Sequence, residues 1–212
     1  MPSLIETLQA QPDHTDALMR AACQRLRAWQ ARVQTPTASG DDDGDGDARL
    51  QRGLERLAPA HAPALLAALN ADAALLPQGP VLDDLPPDDG TAAPPARRPG
   101  PLTDDLALLL RPAELAWDEP QEIDWAVRHW EASRHAGLLD EDLAADFGEF
   151  WRRLEWSALR HHLRLLADGH AEERRLLAHV VKTSTRYVAL APLKRALEAR
   201  HPEYFDQAFS LR

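Results

Sequence analysis

Trp125, His129, His161 and Arg164 are the residues of this chain whose types could hold a polar ligand. An indole face stacks on the C–H surface of a sugar. A guanidinium donates in a fork to a hydroxyl or a phosphate. Trp125 is two residues from Ile123, so a helix turns it about 200° away and off the apolar stripe. The four side chains are expected on the rim of a helical bundle, between the helix carrying Trp125 and His129 and the helix carrying His161 and Arg164. The competing reading packs Trp125 on a neighbouring helix and pairs Arg164 with a nearby acid.

No residue set reads as catalytic or as a metal centre. Adjacent His161 and His162 point about 100° apart on a helix and share no metal-binding face. His162 falls on an apolar stripe and is expected in the core. No His-x-x-x-His or Glu-x-x-His spacing builds a zinc site with carboxylates. Asp41, Asp43, Asp45 and Gly46 occupy the first, third, fifth and sixth places of an EF-hand loop. The last place needs a bidentate Glu and holds Arg52, so a solvated acidic loop is expected. Weak divalent binding through carboxylate density is the alternative. Ser157 and Ser184 lack a neighbouring base.

Composition narrows the classes. The 212 residues carry a formal net charge of −10, which disfavours nucleic acid and anionic membrane surfaces as partners. A single cysteine, Cys23, rules out an internal disulfide framework and suits a reducing cytoplasm. No apolar stretch is long enough to span a bilayer. Abundant Ala and Leu with scarce Val and Ile favour helix over strand.

Periodicity then predicts helix over 3–34, interrupted near Pro12, and over 49–76, interrupted by Pro59 and Pro63. Residues 1–76 read as a helical, partly disordered N-terminal extension with an acidic loop at 35–48. Residues 77–101 read as a Pro-rich linker. From 102 to 212 a regular helical domain is expected. Thr103 is its first N-cap, and Pro120 opens a helix that buries Ile123, Ala126, Val127 and Trp130. Gly137 is a C-cap and Asp146 the cap of the next helix. The pairs Arg152–Arg153 and Arg174–Arg175 read as solvated faces balanced by Glu149, Glu155, Glu172 and Glu173. The fold class is all-α. The tail residues Tyr204, Phe205 and Phe209 are expected to fold back on the bundle.

Four strings in that second half, LTDDLALLLR, WDEPQEIDWAVRHW, FWRRLEWSALRHHLRLL and RYVALAPLKRALE, carry a resemblance. Together and in order they resemble the helical C-terminal part of aminoglycoside-phosphotransferase-like kinases. The likeness is greatest to bacterial kinases of cell-wall amino sugars, N-acetylmuramate and N-acetylglucosamine. Asp105 stands at the family's Asp of a Tyr-Asp-Leu step, with Asp104 in place of Tyr. His161, His162, Leu163 and Arg164 stand at its Arg-His-Leu-Lys string, so the resemblance makes Arg164 the basic group for a sugar hydroxyl or phosphate.

The resemblance also implies a catalytic loop, His-x-Asp-x-x-x-x-Asn, in which Asp accepts the substrate proton and Asn helps hold magnesium. The one Asn here is Asn70, with Leu65 where Asp belongs and Pro63 where His belongs. The only lysines are Lys182 and Lys194, so the first half has no ATP-phosphate lysine. It also lacks a Gly-rich loop and β-branched runs for a nucleotide-binding sheet. Val81-Leu82-Asp83-Asp84 resembles a strand leading to the family's metal-binding Asp, but an acidic loop is expected there. ATP and magnesium are therefore expected only of a complete family member, and no cofactor is expected for this chain. The reading is a degenerate or incomplete sugar-kinase-like phosphotransferase, with another polypeptide as the complementing partner. The alternative is a non-catalytic helical module that binds a sugar-like molecule or a protein.

Overall fold

In a computed structural model, residues 4–32, 43–75, 78–82, 97–101, 103–115 and 117–208 are described. Helix α1 (Leu4–Ala10) gives way at Pro12 to a 3₁₀ turn, and α2 (Thr15–Arg32) follows. Next come α3 (Asp43–Leu57) and α4 (Ala62–Ala74), with a 3₁₀ turn at Pro59–His61 between them. Pro63 does not interrupt α4. It lies in the first helical turn, where its missing N–H costs nothing. Helix α3 begins at Asp43, so the second half of the expected acidic loop is helical, and Asp41 lies outside the described residues.

Both ends of the Pro-rich segment are strands. β1 (Gln78–Leu82) and β2 (Arg97–Pro101) pair antiparallel, with Pro80 opposite Pro99. A two-stranded ribbon tolerates such prolines because each strand has a free edge. Val81 and Leu82 thus end a strand where a loop was expected, while Asp83 and Asp84 lie outside the described residues. The remainder is helical: α5 (Thr103–Leu110), α6 (Glu119–His135), α7 (Glu141–Ala145), α8 (Phe147–Ala167), α9 (Glu173–Arg186), α10 (Ala191–Arg200) and α11 (Glu203–Ala208). The all-α class holds, with this ribbon as its one departure among the described residues.

The chain forms two compact units, and they do not follow the linear division expected from composition. One comprises residues 1–40 and 74–157, the other 41–73 and 158–212, so the division crosses α8 after Ser157. The first unit buries Leu4, Leu8, Met19, Leu26, Leu106, Leu110, Ala126 and Phe150. The second buries Leu50, Leu54, Leu69, Leu163, Leu176, Val180, Leu193 and Leu197. Each such side chain stabilises its unit by about 1.5–3 kcal/mol relative to exposure. In the second unit α3 approaches α8 backbone to backbone. A Cβ at Gly53 would lie in hard collision with the carbonyl of Leu163, so a bare Cα is what permits the contact. Helix α11 packs against α9 and leaves Tyr204 and Phe205 half-buried, while Phe209 lies outside the described residues.

Helix ends follow the expected chemistry. Gly137 (φ +68°) closes α6 in a Schellman motif: its N–H donates to Arg134 O, and Leu138 N–H donates to Ser133 O. Gly169 (φ +75°) closes α8 the same way, with His170 N–H donating to Leu165 O. Asp146 receives Gly148 N–H at 2.7 Å. Thr103 is not a cap. It is the first residue of α5, and its hydroxyl lies 2.7 Å from that of Ser157.

Candidate functional site

Helix α6 buries Glu122, Trp125, Ala126, His129 and Ser133. That spacing is a helical stripe, but a polar one, rotated from the apolar face that periodicity selects. Ile123, Val127 and Trp130 are half-buried. Glu122 and Trp125 find polar partners in Arg111 and Asp16, so hydropathy alone does not set the buried face.

Trp125 is 3 % exposed and donates from Nε1 to Asp16 Oδ1 at 3.0 Å. This hydrogen bond is the main reason the Asp16 carboxyl lies below its ordinary range. Trp117 meets Trp125 edge-on, with centroids 5.3 Å apart. Stacking on a sugar needs an open ring face, and Trp125 has none. His129 is 4 % exposed, and burial, aided by the Arg27 charge, pushes its pKa down to about 3. The expected rim position is therefore corrected for both: they lie inside the first unit.

His161 and Arg164 belong to the second unit. Both are half-buried. Arg164 Nε donates to the Gly46 carbonyl at 3.2 Å and so ties α8 to the start of α3. His161 lies beside His162, whose ring is 4.9 Å from that of His179. His162 is buried, as its place on the stripe predicts. Among the described residues, no group of three or more His, Cys, Asp or Glu could hold a metal ion.

Sequence reasoning missed the most polar part of the first unit. Arg111 donates from Nη2 to Glu122 Oε2 and to Glu155 Oε1, each at 3.0 Å. The three side chains are 2 %, 2 % and 0 % exposed, and the guanidinium also sits 5.2 Å from the centre of the Trp151 ring. Glu155 was expected to balance a solvated arginine pair; instead it is buried, and Glu149 binds both Arg152 and Arg153. Chiefly through its bond to Arg152, the Glu149 carboxyl is held down to about 2. Gln30 Nε2 donates to the buried Asp105 at 3.3 Å. The signal for this network is slight: Asp105 and Arg111 flank the apolar run Leu106–Leu110 and Glu122 precedes Ile123, charges that hydropathy alone cannot sort.

Two concavities lie among the described residues. One, bordered by Gln30, Thr103, His129 and Ser133, has room for about 20 Å³, far below the roughly 300 Å³ at which small-molecule sites begin. The other is a groove of about 450 Å³ in the second unit. It is lined by Ala58, Pro59, Ala60, Ala196 and Ala199 and by His61, Arg195 and Arg200. None of the four candidate residues lines it. Among the described residues, no helix is long and apolar enough to cross a membrane.

The groups that phosphoryl transfer needs are not gathered in the described residues. Asn70 lies within α4, between two turns of helix, and donates to Asp47 Oδ2 at 3.0 Å. Lys194 lies 3.4 Å from Glu198 on the surface of α10.

No protein-family model matches the chain, and no solved structure matches it. The chain is similar to an N-acetylmuramate/N-acetylglucosamine kinase of Neisseria meningitidis serogroup B (strain ATCC BAA-335 / MC58). The two are 36% identical in an alignment 106 residues long, which covers 44% of this chain and 31% of that relative. The matched stretch thus spans under a third of the kinase, and the relationship it supports is a kinase-like one.

Proposed function

We propose that this chain is a kinase-derived helical protein that does not transfer phosphate by itself. Its ancestry is an amino-sugar kinase, and its aminoglycoside-phosphotransferase-like character belongs to this proposal. The observation that carries the reading is the position of Asn70. A catalytic Asn must face a magnesium ion from a loop, five residues after the Asp that takes the substrate proton. Here the single Asn is spent on Asp47 within a helix, and Leu65 in the Asp position is buried. Catalysis of this kind is positioning plus charge stabilisation. Without the Asp, the Asn and an ATP lysine, the chain contributes to amino-sugar phosphorylation only beside a polypeptide that supplies them. A coupled ADP-release assay with N-acetylmuramate or N-acetylglucosamine, ATP and magnesium is expected to be silent. Turnover that survives removal of trace kinases, and that scales with this chain, overturns the reading.

The groove at His61, Arg195 and Arg200 favours a second reading, a non-catalytic module for a small sugar-like anion. Its volume falls within the small-molecule range, and its three polar lining side chains are basic in an acidic chain. Titrating the labelled chain with the sugar 1-phosphates should shift amide signals around Ala58–His61 and Arg195–Arg200. Shifts confined elsewhere sink that reading.

A further inference from the structure

The small cavity in the first unit is the right size for one molecule and is not apolar. Leu106 and Leu143 border it, yet so do Gln30, Thr103, His129 and Ser133. Two of these polar groups have no protein partner: His129 Nδ1 and Ser133 Oγ are buried and make no hydrogen bond. Their residues are 4 % and 1 % exposed. A helical serine ordinarily satisfies its hydroxyl on a backbone carbonyl one turn back. Ser184 does this in α9, where Oγ donates to Val181 O at 2.9 Å. Ser133 does not, and its backbone is fixed in place by the Schellman motif around Gly137, in which Leu138 N–H donates to Ser133 O. Leaving a buried polar group unpaired costs about 1–3 kcal/mol. Two such groups, one helical turn apart on the wall of one cavity, call for a shared partner.

We propose that this cavity is a specific binding site for a single internal water, which bridges His129 Nδ1 and Ser133 Oγ. The size agrees: a water needs about 10–15 Å³ of such space and two to four polar partners, and the cavity offers about 20 Å³. A bare cation is disfavoured, because the lining groups are neutral apart from a histidine that burial keeps uncharged. A larger ligand does not fit. The hydroxyl of Thr103, paired with Ser157, and the amide of Gln30, paired with Asp105, stand on the same wall. The water thereby bridges two groups of α6, with Gln30 of α2 and Thr103 of α5 beside it.

The test uses the intact wild-type chain. In a high-resolution crystal structure, one spherical density peak is expected about 2.7–3.2 Å from both His129 Nδ1 and Ser133 Oγ. In solution, a cross-relaxation peak is expected between a long-lived water and the methyl protons of Leu106 or Leu143. That peak should be lost in a His129→Leu/Ser133→Ala double variant, whose cavity keeps no unpaired polar group to hold a water. A cavity without density in the wild type, a His129 Nδ1 bonded to a protein atom, or a peak elongated beyond one atom overturns the proposal. So does a cross-relaxation peak that persists in a folded double variant. If the double variant fails to fold, the wild-type density and cross-relaxation decide on their own.

Discussion

Replacing Arg111 with Met keeps most of the packed stem and removes only the charged fork. The fork donates to Glu122 and Glu155, and all three side chains are at most 2 % exposed. Charge-assisted hydrogen bonds are individually worth about 1.5–3 kcal/mol, and the Trp151 face adds a cation–π contact. These do not add, because the larger consequence is two carboxyl groups left buried without their guanidinium. Breaking a buried pair by deleting one partner costs about 3–5 kcal/mol, a large share of the 5–15 kcal/mol or so that holds a typical domain. For a chain of this length that is a drop of about 10 °C in melting temperature. Urea denaturation followed by circular dichroism measures it. The triple variant Arg111→Met/Glu122→Leu/Glu155→Leu should recover much of the loss, because no charge is then stranded. A single variant that loses less than about 1 kcal/mol, the range of exposed pairs, refutes the reasoning. So does a triple variant as unstable as the single.

Gly53→Ala should destabilise the second unit by about 2 kcal/mol or more despite Ala's better helix propensity, because its Cβ would enter the Leu163 carbonyl; a melting temperature that rises contradicts the close approach. Cys23 is buried and its thiol pushed up to about 12 by desolvation, so an aromatic disulfide reagent should label it only as fast as the chain opens. Labelling at the rate of a free thiol would place it at the surface. His129 binds its proton less readily folded, at about 3, than its ordinary 6.5. Its contribution to stability is therefore complete above about pH 6.5 and is lost as pH falls towards 3, by up to about 1.4 kcal/mol per pH unit. His129→Phe should flatten that part of the acid-stability curve, and an unchanged slope would show that other groups set it.

Helices and their ends were legible because they depend on neighbours in sequence. The spacing of Leu50, Leu54 and Leu57, the C-cap glycine Gly137 and the cap at Asp146 all read correctly. The buried face of α6 was not legible. Its members Glu122, His129 and Ser133 count as surface residues on any hydropathy scale. Glu122 is buried with Arg111, eleven residues before it, which also binds Glu155 on α8, while His129 and Ser133 border the small cavity. For the same reason Trp125 looked available to a ligand, although Asp16 on α2 receives its N–H. Arg164 donates to a backbone carbonyl, Gly46 O, which no charge pattern marks. The ribbon was hidden by its own prolines, which argue against strands except at free edges.

The two units also divide the chromophores. All six Trp residues fall in the first unit, and both Tyr residues, Tyr187 and Tyr204, fall in the second. Light absorbed at the red edge of the indole band therefore interrogates one unit and leaves the other dark. A ligand that quenches indole emission reports on the first unit alone, while the groove of His61, Arg195 and Arg200 is lined by no Trp or Tyr. Unfolding curves taken by indole emission and by circular dichroism should coincide only if both units melt together. Any gap between them measures the independence of the two units without a single label or substitution.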